Sequence, residues 1–313
     1  MTVGPPTQLE DDKTMHKTFD PKVFRLGYIA LETADIERTR DHYVATLGMT
    51  ETARGHDGEV YLSIGADHHN IVLRPAAQKA LVHQGYQLKP HHSVAEVARD
   101  VQALGLRATV KTDSQPGIAE LVEVEAPGNV VFQLFNEIEM PCPGWKETGA
   151  SILRLGHLAV ISAEAEKLFH FYTDFLGFAY TDDIAGVARF ITCNRDHHVV
   201  NVVGLPDNRV HHIAFELKAS AFHVAACDAL RRAGIEQLWG PARHTAGHNI
   251  AGYHYDPNGV MVEFYTEMDV FVPELGIQEP RPWHEVNPLR PRSWPLENMN
   301  AWGAPFEFNF VTG

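Results

Sequence analysis

The sequence writes one unit twice. "RLGYIALETADIERTRDHYVATLGM" from Arg25 is answered by "RLGHLAVISAEAEKLFHFYTDFLGF" from Arg154, and "ADHHNIVL" from Ala66 by "RDHHVVNV" from Arg195. Further on, "HQGYQLK" from His83 pairs with "HIAFELK" from His212, and "APGNVVFQLF" from Ala126 with "DPNGVMVEFY" from Asp256. The offset is 129 for Tyr28/His157, His69/His198 and His83/His212, and 130 for Gln133/Glu263. Register held over so long a stretch marks a duplication, and a duplicated chain must build the same packing twice.

Within each copy, a short apolar run, an amphipathic helix and further short runs alternate twice. Ser162 reads as the N-cap of a helix in which Leu168, Phe171, Tyr172 and Phe175 recur at helical spacing until Gly177. Another helix is expected from about Ser220 to Gly234, with counterparts near Ala34 to Gly48 and Ser93 to Gly105. Four βαβββ units follow, and with them an α+β fold. It has two tandem modules, each of two paired units forming a curled, barrel-like antiparallel sheet with helices outside. The expected layout is an N-terminal extension at 1–23, an N-terminal module at 24–140 and a Pro-Gly linker at 141–150. A C-terminal module follows at 151–268, then a Pro-rich arm at 269–313 that could cover a neighbouring module or a partner subunit.

Charge narrows the function. The formal net charge of −14, with no long basic run, argues against nucleic acid and anionic membranes and leaves a small-molecule ligand. Cys142, Cys193 and Cys227 form no close-spaced pair and read as reduced, packed thiols. Met1 to Glu10 lacks a targeting pattern and no stretch approaches a membrane span, so a cytoplasmic protein is expected.

The copies differ where chemistry would sit. Asp256-Pro257-Asn258-Gly259 reads as a tight turn, and Val260 to Tyr265 as a buried strand interrupted by one acid, Glu263. A carboxylate there needs a cation, a metal or several donors. Its counterpart is Gln133, and that of His157 is Tyr28, so only the second copy keeps two histidines and an acid. Strand alternation turns Leu158 and Val160 away from His157, Ile213 and Phe215 away from His212, and Val262 and Phe264 away from Glu263. The polar trio can therefore face the inside of a curled sheet. Two imidazoles and one carboxylate on one side of an ion, with other positions open, form the arrangement of a non-haem Fe(II) oxygen-activating site.

"GHLAV", "HHIAFE" and above all "RHTAGHNIAGYHYDPNGVMVE" resemble the type I extradiol ring-cleavage dioxygenases, the catechol 2,3-dioxygenase branch of the vicinal oxygen chelate superfamily. His244, Tyr253 and Glu263 keep that family's spacing of nine and then ten residues. The resemblance implies that His157, His212 and Glu263 hold Fe(II), or Mn(II), in the C-terminal module alone. It implies that a catecholic substrate and dioxygen react there to give a 2-hydroxymuconic-semialdehyde-type product, and that the chain forms homo-oligomers. By the same resemblance His198 is the acid-base group, with His197 as the rival on the opposite face of a strand, while His244 and Tyr253 hydrogen-bond the catechol oxygens. His248 and Arg243 are further pocket candidates, Arg243 for an anionic substituent. A glyoxalase-like isomerase or lyase and a non-catalytic small-molecule binder are the alternatives on this scaffold.

Overall fold

The computed structural model describes residues 19–142 and 144–305. The expected N-terminal extension thus lies outside the described residues up to residue 18, as does the end of the C-terminal arm from residue 306. The first copy runs β1 (Val23–Thr33), α1 (Ile36–Asp41), β2 (Thr50–Arg54), β3 (Val60–Ser63) and β4 (Ile71–Pro75). It continues with β5 (Ala80–Leu88), α2 (Val94–Ala103), β6 (Arg107–Gln115), β7 (Ile118–Ala126) and β8 (Val130–Phe135). The second copy matches it with β9 (Ile152–Ser162), α3 (Ala165–His170), β10 (Ala179–Ile184), β11 (Ala188–Thr192) and β12 (Val200–Gly204). Then come β13 (Arg209–Leu217), α4 (Ser220–Arg232), β14 (Gln237–His244), β15 (Ile250–Tyr255) and β16 (Met261–Thr266). Both α1 and α3 run on into a π-helical turn. Ser93 caps α2 in a reciprocal box with Glu96. Ser162, expected as the cap of α3, ends β9 instead: α3 starts at Ala165, and the Ser162 hydroxyl accepts the Glu164 N–H at 3.1 Å ahead of it.

Strand order in the first sheet is β2-β3-β4-β1-β5-β8-β7-β6, and the second repeats it as β10-β11-β12-β9-β13-β16-β15-β14. The sheets are curled as expected but mixed, with parallel pairs among the antiparallel ones. In each unit the helix returns the chain to the starting end and three strands then meander back. The last strand therefore lies parallel to the first, as in β1/β4, β5/β8, β9/β12 and β13/β16. One apolar core runs through both modules, from Ile29, Tyr43 and Phe132 to Tyr172, Phe215 and Phe264.

The C-terminal arm covers its own module. It adds β17 (Ser293–Trp294) beside β10 and β18 (Asn300–Gly303) beside β14, one at each edge of the second sheet. Ten strands laid flat at about 4.8 Å spacing would part these edges by about 43 Å. The chain from Trp294 to Asn300 reaches at most about 20 Å. The sheet is therefore curled until its edges nearly meet, and its interior is a cavity that strand side chains can enter. Among the described residues no helix is long and apolar enough to cross a membrane.

Candidate metal centre

The Asp256 turn delivers β16 to its place. Asp256 Oδ1 accepts the Asn258 and Val260 N–H groups at 2.9 and 2.8 Å, and Gly259 takes the positive φ (+74°) that the turn requires. Tyr43 O–H donates to Asp256 Oδ2 at 3.2 Å and the Asn258 amide donates to Glu32 O at 2.8 Å, which latches the turn to the N-terminal module. Glu263 then pairs with Ala214 of β13, and Ala214 pairs in turn with His157 of β9. His212 lies two residues before Ala214, on the same face. The alanine methyl is small enough for His157 and Glu263 to meet across it.

They meet closely. His157 Nε2 lies 3.0 Å from Glu263 Oε2, His212 Nε2 lies 3.2 Å from the same oxygen, and the two imidazole nitrogens are 3.3 Å apart. With ligand bonds of about 2.1 Å, neighbouring ligands at right angles around one ion stand about 3.0 Å apart. The trio fits a single cation. His157 and Glu263 are each 1% exposed, so the carboxylate has almost no water to solvate it. Burial pushes the Glu263 carboxyl up, but His157 and His212 outweigh it and hold the group well below the usual carboxylate range. Burial lowers the His157 imidazole despite the adjoining carboxylate. Asn249 donates its amide to Glu263 Oε1 at 2.9 Å and so fixes which oxygen faces the histidines.

Around the trio stand His198, Tyr253 and His244. The His198 ring lies 4.3 Å from that of His157 and packs edge-on against Phe190. His197 and His198 lie in the loop between β11 and β12, not in a strand as expected, so alternation does not separate them. Partners do. His197 Nε2 lies 3.1 Å from Asp182 Oδ2, whereas the His198 ring turns to that of His157; the Nδ1 atoms of His197 and His198 stand 3.0 Å apart. Burial, with His157 and His197 adding to it, holds the His198 pKa well below the usual histidine value. Tyr253 lies opposite Glu263 in the β15/β16 ladder, and its O–H is 2.8 Å from His244 Nε2. Burial and then Glu263 push the Tyr253 phenol well up.

The two further pocket candidates are engaged elsewhere. Arg243 donates to the His248 carbonyl at 2.7 Å and to Glu267 at 2.7 Å, and its guanidinium lies over the Trp283 ring. His248 Nδ1 is 2.7 Å from Asp269 Oδ2, while His284 Nε2 and Trp283 Nε1 reach Asp269 Oδ1 at 2.8 and 3.0 Å. His248, Asp269 and His284 are also close enough to hold an ion. Their geometry differs from that of the first trio, however. Each imidazole takes its own oxygen, and the indole fills the rest, which describes a hydrogen-bonded clasp between the arm and the loop before β15.

Sequence reading missed Ala214, Asn249 and Asn300. Ala214 carries a weak signal, since it answers Gly85 at the offset of 129. Asn249 and Asn300 carry none, because their importance lies in what they touch. A cavity of about 630 Å³ also lies at the seam between the modules, lined by residues such as Leu81, Val131, Val210, His211 and Met261. Of its lining, His211 touches the trio, its Nδ1 lying 2.7 Å from His212 Nδ1.

Comparison with known proteins bears on the fold. A model of the Glyoxalase/Bleomycin resistance protein/Dioxygenase superfamily matches residues 154–264. The metapyrocatechase of Pseudomonas sp. (strain CF600) is 25% identical over 267 residues, covering 79% of this chain and 87% of that protein. The 2,3-dioxygenase LapB from Pseudomonas sp. KL28 superposes with a TM-score of 0.78 at 22% identity, over 89% of this chain and 99% of its own. The Mn(II)-bound glyoxalase from Novosphingobium aromaticivorans gives 0.80 at 20% identity, over 91% and 93%. The two structures establish the fold.

Proposed function

We propose that this chain, which resembles the type I extradiol ring-cleavage dioxygenases in sequence and shares their fold, is an enzyme that opens a catecholic ring at one metal in its C-terminal module. His157, His212 and Glu263 hold that metal, which we assign as Fe(II). Bound there, iron supplies Lewis acidity toward the catechol oxygens and redox access to dioxygen. The single carrying observation is the buried triangle of 3.0–3.3 Å edges on one carboxylate oxygen. Among the described residues this grouping of His, Cys, Asp and Glu stops at three, which leaves open positions for substrate and dioxygen and disfavours a closed, four-ligand site.

The surrounding residues divide the remaining work. Glu263 supplies the negative charge, oriented by Asn249. Tyr253 and His244 form a hydrogen-bonded pair beside the carboxylate, placed to reach catechol oxygens and to receive a phenolic proton at His244 Nε2. His198, held neutral by burial, offers an imidazole nitrogen from the opposite wall to take up or return a proton. His198 and Tyr253 are buried, which keeps bulk water from them.

The test is direct. Anaerobically iron-loaded protein, given a panel of mono- and bicyclic catechols and then air, is expected to consume oxygen and form a yellow ring-fission product. No turnover on any vicinal diol would reject the enzyme. His157→Ala is expected to lose iron, whereas His198→Phe keeps iron and turns over about a hundredfold to ten-thousandfold more slowly, the usual worth of an acid-base group.

A further inference from the structure

Asn300 belongs to the arm, outside the duplicated part of the chain, and has no counterpart in the first module. Its side chain nonetheless reaches the proposed centre. Asn300 Oδ1 lies 3.0 Å from His244 Nδ1, and Asn300 Nδ2 lies 2.7 Å from the carbonyl oxygen of Ala304. A backbone carbonyl only accepts, so the amide NH2 must point to Ala304 and the amide oxygen to His244. An amide oxygen likewise only accepts, so His244 Nδ1 must carry a proton. The Ala304 carbonyl also takes the Trp239 indole N–H at 3.0 Å, and Trp239 stacks on His244 with ring centroids 4.8 Å apart and on Tyr253 at 5.3 Å. The arm itself is tied down: Thr245 N–H donates to Met299 O at 3.0 Å, and the Thr245 hydroxyl to Asn298 O at 2.6 Å.

We propose that Asn300 is a positioning residue that fixes the tautomer of His244, pinning a proton on Nδ1 so that every exchange of hydrogen occurs at Nε2, the nitrogen beside Tyr253. Which nitrogen of a histidine is protonated is set by the bond that the other nitrogen makes. Without that acceptor, neutral His244 is free to carry its proton on Nε2, which then cannot accept from Tyr253 or from a substrate oxygen. The proposal rests on the reading of His244 as a group that handles substrate oxygens, and it assigns the orientation of that group to a side chain of the arm.

The test measures the tautomer itself. Imidazole 15N shifts of His244 are recorded in the full chain, metal-free and with Zn(II) as a diamagnetic probe, assigned by their loss in His244→Gln. The expected result is protonated Nδ1 and unprotonated Nε2 in the natural sequence and in Asn300→Asp, which keeps an acceptor, with the Nε2-protonated form appearing in Asn300→Leu. In the iron-loaded enzyme, Asn300→Leu is expected to lower kcat about tenfold to hundredfold, with KM changing far less. Asn300→Asp is expected to retain most of kcat and to shift the acid limb of its pH profile upward, because a carboxylate favours the imidazolium. A proton on Nε2 in the natural sequence overturns the proposal, as does an unchanged tautomer in Asn300→Leu. Absence of ring cleavage in the natural sequence would remove the reaction and leave the tautomer result standing, so the two failures are separable.

Discussion

The two modules share a backbone plan and part company at a handful of side chains. Arg25 grips Asp67 through two bonds of 2.7 and 2.9 Å, and Arg154 grips Asp196 through two bonds of the same lengths. The Nδ1 atoms of His68 and His69 are 3.1 Å apart, and those of His197 and His198 are 3.0 Å apart. At the centre the resemblance stops. Where His157 and Glu263 converge in the second module, the Tyr28 O–H donates to Gln133 Oε1 at 2.5 Å in the first, and the Gln133 amide donates to Glu123 at 2.9 Å. The Tyr28 ring occupies the space between the strands, and the residue under it is Gly85, where a Cβ would come within 2.3 Å of that ring. A neutral phenol and a neutral amide satisfy each other without a cation. Under the proposed reading, the same scaffold holds a metal or a hydrogen bond according to two side chains.

Changes that exchange these features test the comparison. The largest effect is expected from His157→Tyr with Glu263→Gln and Ala214→Gly, the last making room for the ring as Gly85 does, which rewrites the second centre as the first. Metal analysis should find no iron retained, turnover should fall to background, and the fold should persist by circular dichroism; retained iron would place the metal elsewhere. The converse set, Tyr28→His, Gln133→Glu and Glu123→Gln, is expected to add a second bound metal by using His83 already in place. An unchanged metal content would show that side-chain identity alone does not make the difference.

Next in size come the small residues beneath each pair. Ala214→Val adds bulk between His157 and Glu263 and is expected to cost about 1–3 kcal/mol and weaken metal retention. Gly85→Ala, pressing on Tyr28, is expected to cost a similar amount with no change in metal affinity. Denaturant melts combined with metal titration separate these outcomes.

The last expected effect is a slope against pH. Burial is the main cause that lowers His69 and His83 to about 3, with neighbouring positive charge from His68 for the former and Arg74 for the latter adding to it. In the unfolded chain both would titrate near 6.5. A lowered histidine contributes stability that is complete above the unfolded value and is lost as pH falls toward the folded one. Stability should therefore decline from pH 6.5 toward pH 3 by about 1.4 kcal/mol per pH unit for each of the two residues. Urea midpoints across that range, compared between the natural sequence and His83→Gln, should show a shallower slope in the variant. Equal slopes would mean that His83 is not held neutral.

Much of this was legible because duplication supplies an internal control. Tyr28 against His157 and Gln133 against Glu263 stand out against otherwise matching text, and strand alternation then aims the polar trio inward. The fold class followed from the same periodicity. Parallel pairing of β1 with β4 did not, since the sequence marks strands and leaves their neighbours open. His197 and His198 were read by strand alternation, but the chain leaves the strand before them, and Asp182 and His157 decide their directions. Arg243 looked available for a substrate because its partner, Glu267, lies 24 positions away. Asn300 was invisible for a deeper reason: the arm has no second copy against which a difference could be noticed.

Because the arm lays a strand of two residues along one border of the second sheet and one of four along the other, that sheet ends in stubs too short to template a further chain. The first sheet keeps β2 and β6 as its borders, strewn with charged groups such as Arg54, Arg107 and Lys111 that discourage casual pairing. Strand-by-strand enlargement of the molecule is therefore steered to the N-terminal half, and the half proposed to hold the metal is left without a border to extend.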